Sequence, residues 1–352
     1  MTSSSSSSPK ISDVSYISEF VSKYQKGMEM SFVIDGKSRV CEFNQKMGSV
    51  AILLFHKERN QFLLVRQFRP AIFTSHIANL PENHGKEFSD IEWTSYDTEV
   101  GFTIELCAGL IDKDGLTPRE IASEEISEEC GYRVDSDDLI HIVTFIVGAH
   151  QSGNSQHLFY AEIDETMKIS EGGGNILDGE VITKVFYSLE DAMRIARPGR
   201  GEHAEVKGPP GVIFAFQWWF FILDPTKNGI TRNWDLALCP NTTTCILVDM
   251  AKKHLNAGKS LEEIQFWKYD ANMAYTAKCI PGIGQSGDTQ FIYTADVSKA
   301  RACEKEEDED VEEIRIPFND LASLYKQHLV GPPNTYYAIG FVLDQLLDRD
   351  VL

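Results

Sequence analysis

Hydrophobic and polar positions alternate in two runs between residues 29 and 43, on either side of Asp35-Gly36. That alternation, with a dipeptide suited to left-handed turn conformations at its centre, predicts a β-hairpin. Two denser apolar runs, Val50 to Phe55 and Phe62 to Phe68, predict a second hairpin, so the first 70 residues read as antiparallel sheet. Residues 76 to 98 lose all periodicity and carry Pro81, Asn83 and Gly85, which predicts a long loop or insertion before a strand from Phe102 to Ala108. Beyond it the pattern gives a helix from Thr117 to Cys130 and strands near 139–147, 156–163 and 180–187. Helices near 189–197 and 211–223 complete a mixed α/β layout.

The helix at 117 has complete start and stop signals. Thr117 is placed to cap it, Pro118 suits its first turn, Glu120 completes a capping box and Gly131 ends it. On a helical wheel Ala122, Ile126 and Cys130 form one apolar stripe. Glu125 and Glu129 flank that stripe, whereas Glu124 and Glu128 lie further round toward solvent. Glu124/Glu128 and Glu125/Glu129 are like-charge pairs one turn apart, each costing about 0.2–0.5 kcal/mol. Residues 121 to 132 contain no lysine or arginine to offset them, so something else must neutralise this face. A solvated acidic helix is the plain reading of such a charge run. The alternative is a cation site: hard carboxylate oxygens one turn apart, beside an apolar stripe and after a glycine-containing turn, suit magnesium or manganese.

Charge decides which ligands are compatible. The 352 residues include 33 Lys+Arg against 53 Asp+Glu, a formal net charge of −20, which repels nucleic acid. A phosphorylated metabolite is still accessible where divalent cations bridge it to carboxylates. The serine run within residues 1–10 reads as the start of a disordered tail and lead-in reaching residue 27, not as a signal peptide. Val212 to Leu223, the most apolar stretch, is interrupted by Gln217 and is too short to cross a bilayer. Seven cysteines without a CxxC pair, several of them in apolar runs, predict reduced, buried thiols. A soluble cytoplasmic protein is the expectation.

Three segments carry a family resemblance: Ala108-Gly109-Leu110-Ile111-Asp112, then Glu125 and Glu128-Glu129, then Gly131-Tyr132. Together they resemble the Nudix box, GX5EX7REUXEEXGU. Counted from Gly109, the loop carries one extra residue; counted back from Gly131, the box arginine falls on Glu124 and the first glutamate on Leu116. Residues 28 to 223 are similar to one branch in particular, the uridine diphosphate glucose pyrophosphatases, near relatives of the ADP-ribose pyrophosphatases. That likeness adds Arg66-Gln67-Phe68-Arg69-Pro70 and Glu105-Leu106-Cys107-Ala108-Gly109-Leu110. The resemblance implies an α/β/α sandwich around a mixed sheet at residues 28–225. It also implies Mg²⁺-dependent hydrolysis of a UDP-sugar to UMP and sugar 1-phosphate, in a homodimer whose N-terminal strands help complete the partner's site.

Given that resemblance, Glu125 and Glu129 are the first candidates for metal ligands, with Glu128 and the Ala108 carbonyl close to the ions. In similar enzymes a further carboxylate comes from a loop before a late strand, and Asp178-Gly179-Glu180-Val181 stands at that place. Glu180 is assigned to metal and Asp178 to water activation, beside the reading of an acidic turn entering a strand. Arg66 and Arg69 offer planar, forked guanidinium groups to phosphate or base, or simply solvate a strand end. Gln151, Ser152, Gly153 and Gln156 form either a substrate loop or a plain polar hairpin. His150 and His157 read as packing or surface residues; no spacing supports zinc.

The chain also resembles itself. Gln151-Ser152-Gly153 and Gln156 recur as Gln285-Ser286-Gly287 and Gln290, and Gly208-Pro209-Pro210 recurs as Gly331-Pro332-Pro333. Asp178-Gly179-Glu180-Val181 has Asp308-Glu309-Asp310-Val311 in the same order. Residues 226–352 therefore read as a truncated Nudix-like unit without the metal helix, an intrachain pseudo-partner in place of a second subunit, or else as an unrelated appended domain. Hydrolysis of UDP-glucose is the favoured activity. The other readings are ADP-ribose hydrolysis and a regulatory protein that holds a nucleotide sugar without cleaving it.

Overall fold

The structure, a computed structural model, describes residues 11–17, 21–22, 24–149, 151–174, 181–197 and 204–223. Beyond 223 it describes only the strand backbones at 243–244, 269–270, 273–279, 290–295, 301–302 and 316–317, together with Ile339.

The first hairpin is present as β1 (Gln25–Ile34) and β2 (Lys37–Lys46). Asp35 and Gly36 both take positive φ, 49° and 76°, which gives the turn the hand that matches strand twist. It stands apart as its own two-stranded sheet. The second hairpin, β3 (Ser49–His56) and β4 (Gln61–Phe68), is the centre of a seven-stranded mixed sheet. It is not purely antiparallel, because β3 also pairs in parallel with β8 (Asn154–Ile163). The continuous apolar runs of β3 and β4 follow from burial on both faces. Val50, Ile52 and Leu54 face one apolar cluster; Ala51, Leu53 and Phe55 face the other.

The strand expected at 102–108 is two strands. β5 (Phe102–Glu105) pairs with β4, and β6 (Cys107–Leu110) pairs with β3. Nor is 76–98 an unstructured loop. Helix α1 (Pro70–Ala78) and four short 3₁₀ turns enclose a satellite core of Phe73, Ile77, Ile91 and Trp93.

Helix α2 (Pro118–Glu125), continued by a π-helical turn over Ile126–Cys130, packs Ile121, Ala122, Ile126 and Cys130 on one face of the sheet. β7 (Ile140–Val147), β8 and β9 (Ile182–Ser188) extend the sheet. The other face is covered by α3 (Leu189–Ala196) and α4 (Pro210–Trp218), with the short strand β10 (Ala204–Glu205) between them. This is the α/β/α sandwich expected. All of α4 is buried, Gln217 included, which explains its high hydrophobicity without a membrane; among the described residues no helix is long and apolar enough to cross one. Cys107 and Cys130 are buried free thiols as expected, but Cys41 on β2 is exposed.

Candidate active site

The capping box of α2 is formed on both sides: the Glu120 backbone N–H donates to Thr117 Oγ1 at 3.3 Å and the Thr117 N–H to Glu120 Oε2 at 2.7 Å. The Thr117 N–H and hydroxyl, both donating to Glu120 Oε2, hold the Glu120 carboxyl below its ordinary pKa. The helix ends at Gly131, in the left-handed region at φ 78°, where a Cβ would lie 2.3 Å from the Ser170 carbonyl oxygen. With both ends fixed, the glutamates between them have set directions.

They separate into an inner and an outer pair. Glu129, only 3% exposed, accepts the Ala108 N–H on Oε2 at 3.0 Å. Glu125 lies against Gly109, so closely that a Cβ there would sit 1.9 Å from its Oε1. Strand β6 thus collects both inner carboxylates on adjacent residues. The outer pair turns away: Lys113 Nζ donates to Glu124 at 2.6 Å and to Glu128 at 3.3 Å, which raises the Lys113 pKa. The helix does have a neutralising base, then, supplied by the β6–α2 loop and not by the helix itself. The structure brings Glu125, Glu129 and Ala108 together and leaves Glu128 with Lys113. At the helix end Lys184 of β9 donates to the Cys130 carbonyl at 3.1 Å, a cation placed where the helix dipole is negative. Burial lowers the Lys184 pKa. Burial also raises the Cys107 thiol's pKa, with the adjacent Cys130 and Glu129 adding to it.

Both arginines are held by carboxylates. Arg66 Nη2 donates to both oxygens of Glu99 at 2.7 and 2.8 Å while its guanidinium lies 3.7 Å from the centre of the Phe102 ring. Arg69 makes a two-pronged contact with the buried Glu105, Nε at 2.8 Å and Nη2 at 2.7 Å, and Thr103 Oγ1 adds a third donor at 2.6 Å. Glu105 stands only three residues before Ala108, so one stretch of chain links the arginine to the inner glutamates.

The 148–156 loop reaches the same end of the sheet. Ser49 pairs with Leu110 on one side and with Gln156 on the other, and Gln156 Nε2 donates to Ser49 Oγ at 3.2 Å. The backbone N–H groups of Gln151, Ser152 and Gly153 all point inward to the Gly148 carbonyl at 2.7–2.9 Å. A ligand at this loop would therefore meet side chains before it met those amides. The Asn44 N–H donates to the Gln151 carbonyl at 2.6 Å, tying the first hairpin to the loop beside an open groove of about 510 Å³ that Gln151 helps to line.

Asp178, Glu180 and His150 lie outside the described residues. What flanks 175–180 is described. Gly173 and Gly174 donate to the Glu129 and Glu128 carbonyls at 2.8 and 3.2 Å, and β9 then starts at Ile182, paired with Gln67. Among the described residues no three Asp, Glu, His or Cys side chains form a ready metal cage. The donors that are present suit a hard cation, and the missing Cβ of Gly109 is what admits Glu125 beside the strand. Lys113, Lys184, Glu99 and Glu105 were not singled out from sequence. Of these, Glu105 alone stood within a motif; the others are distant charges with no local signal.

The sandwich, and a capped glutamate helix feeding two carboxylates onto β6, define a hydrolase of the Nudix class, and the chain belongs to that family. A scan against family models finds no match. Relatives carry the assignment. The chain is 33% identical over 208 residues to the uridine diphosphate glucose pyrophosphatase NUDT14 of Bos taurus, covering 58% of this chain and 91% of that one. The Mus musculus protein of the same name is 30% identical over 56% of this chain and 89% of its own length. A GDP-mannose pyrophosphatase of Cronobacter sakazakii is 29% identical over 45% of this chain and 69% of its own.

Proposed function

We propose that this enzyme hydrolyses the pyrophosphate bond of a nucleoside diphosphate sugar, with UDP-glucose going to UMP and glucose 1-phosphate and with Mg²⁺ as cofactor, Mn²⁺ substituting. The observation that carries the reading is the convergence of Glu125 and Glu129 on Ala108 and Gly109. UDP-glucose is favoured over GDP-mannose because the match spans 91% of the bovine UDP-glucose enzyme and 69% of the bacterial GDP-mannose enzyme.

Glu125 and Glu129 would hold the cation, with the Ala108 carbonyl and Glu180 as further oxygen donors. When bound, the metal neutralises the diphosphate and lowers the pKa of an attacking water. The protein's own contribution is preorganisation. The Ala108 N–H fixes one oxygen of Glu129, and the bare Cα of Gly109 lets Glu125 lie beside it. Lys113 pairs with Glu124 and Glu128, which offsets the charge of the outer pair beside a dianionic diphosphate. Asp178 is the proposed base for water, with Glu128 the second candidate. Arg66, steadied by Glu99 and Phe102, presents a flat cationic face to phosphate or base, and Arg69 braces the strand through Glu105. Gln151, Ser152, Gly153 and Gln156 recognise the sugar or base mainly through side chains. A homodimer through the first hairpin belongs to the proposal, since Met30, Val33, Ile34 and Val40 are exposed on it.

The test is kcat/KM for UDP-glucose, UDP-galactose, GDP-mannose and ADP-ribose with Mg²⁺, beside Glu129→Gln. UDP-glucose should lead and EDTA should abolish turnover. Glu129→Gln should lose about 100-fold or more, because even the outer partners of metal ligands are worth about 10- to 100-fold. Binding without turnover would make the protein a nucleotide-sugar sensor; preference for ADP-ribose would overturn the substrate.

A further inference from the structure

At an offset of 134, five of the ten residues in 147–156 are identical in 281–290: Gly148, Gln151, Ser152, Gly153 and Gln156 match Gly282, Gln285, Ser286, Gly287 and Gln290. The likeness continues along the strand. Leu158, Phe159, Ala161, Glu162 and Ile163 correspond to Ile292, Tyr293, Ala295, Asp296 and Val297.

The backbone repeats at the same offset. In β7 and β8 the partners are Phe145↔Gln156, Thr144↔His157, Val143↔Leu158, His141↔Phe159 and Ile140↔Tyr160, with the register slipping between His141 and Val143. In the antiparallel strands Met273–Cys279 and Gln290–Ala295 they are Cys279↔Gln290, Lys278↔Phe291, Ala277↔Ile292, Tyr275↔Tyr293 and Ala274↔Thr294, slipping between Tyr275 and Ala277. These five pairs and the bulge coincide after the shift. A bulge is a specific insertion into a ladder, so two unrelated hairpins of like sequence have no reason to place one at the same rung.

One contact shows where this hairpin attaches, and a second places a later residue of the repeat. Ala204 and Glu205 of β10 pair in parallel with Ala277 and Lys278. Ile339, 4% exposed, is buried in the apolar cluster that holds α3 and α4. Ile339 stands eight residues after Gly331, and Phe216 of α4 stands eight residues after Gly208, so the same position of each repeat enters one shared core.

We infer that strands 273–279 and 290–295 are a second copy of β7 and β8, paired in cis with β10, and that Ile339 enters the α3–α4 core at the place that Phe216 holds in the first copy. The copy is a non-catalytic, permanently attached partner. Residues 225–284 contain no Glu-Glu-x-Gly, so the repeat keeps the Gln-Ser-Gly sequence and lacks the box that carries Glu125, Glu128 and Glu129 in the first copy. Its surface differs from the exposed first hairpin, and the inference holds whichever nucleotide sugar is cleaved.

The test is a paired substitution, Glu205→Cys with Lys278→Cys, in the full chain. Directly paired strand positions lie within the Cα separation a disulfide needs. Under mild oxidation, peptide mapping should find a 205–278 disulfide in a band of one-chain mass that neither single variant gives. A band of two-chain mass would show that the repeat is supplied by another molecule and would overturn docking in cis. Hydrogen exchange on the unmodified chain is the control for folding. Amides of 273–279 and 290–295 should be protected at least 100-fold over free peptide; exchange at free-peptide rates, or the absence of any disulfide, would overturn the contact.

Discussion

Gly109→Ala isolates the geometry of the inner glutamates with a single methyl group. The new Cβ would lie 1.9 Å from Glu125 Oε1, 2.1 Å from Cδ and 2.7 Å from Cγ, so the whole side chain must swing away. To reach even a tight contact of about 3 Å the carboxylate retreats by about 1 Å, and a misplacement of that size costs about 100-fold in rate. The fold is expected to survive. Removing a strand glycine gains about 0.4–1 kcal/mol through the unfolded chain, while local overpacking costs about 1–3 kcal/mol. The assay is kcat on saturating UDP-glucose with Mg²⁺, beside thermal unfolding. A fall of about 100-fold with Tm shifted by only a few degrees is expected. Activity within twofold of the parent, with Glu125 displaced in the variant's structure, would refute the idea that Glu125 must lie against β6.

Three further outcomes follow from the ion pairs and the cap. Arg69→Met leaves the buried Glu105 carboxylate without its guanidinium and should cost about 3–5 kcal/mol in urea unfolding, whereas Arg66→Met, at a half-exposed pair, should cost no more than about 1 kcal/mol and act mainly on KM. Lys113→Met should destabilise by less than about 1 kcal/mol at low salt and by nothing measurable in 1 M NaCl. Because Glu124 raises the Lys113 pKa, that contribution is fully present below lysine's ordinary 10.5 and disappears as pH rises through the higher folded value. Thr117→Ala removes the N-cap of α2, worth about 1 kcal/mol. The lowered Glu120 pKa puts the glutamate's share above its ordinary 4.5, to be lost as pH falls through the folded value, so the gap between parent and variant should narrow in acid without closing, because the Glu120 N–H bond to the Thr117 hydroxyl does not titrate.

The elements legible in the sequence are those with local rules. Asp35-Gly36 placed the first turn, and Thr117, Glu120 and Gly131 bounded the glutamate helix because capping depends on residues within one turn of each other. The stripe of Ala122, Ile126 and Cys130 gave its buried face. What pairing decides was not legible. Residues 102–110 look like one strand, but Leu106 is where the chain changes neighbours from β4 to β3, and only the assembled sheet shows that. Helix α1 was missed because Pro70-Ala71-Ile72-Phe73 is apolar without helical period and is stabilised by Trp93, distant in sequence. At the site, the glutamates were visible as a motif. Their sorting was not, since Lys113 reaches Glu124 and Glu128 from the loop between β6 and α2.

The central claim is that Glu125 and Glu129 together gather a divalent cation for diphosphate hydrolysis. Crystals soaked in Mn²⁺ and measured for anomalous scattering test it directly. The account predicts a manganese peak in contact with both carboxylates beside Ala108 and no peak there in Glu129→Gln. Manganese bound only elsewhere, in a parent enzyme that still cleaves UDP-glucose, would contradict it.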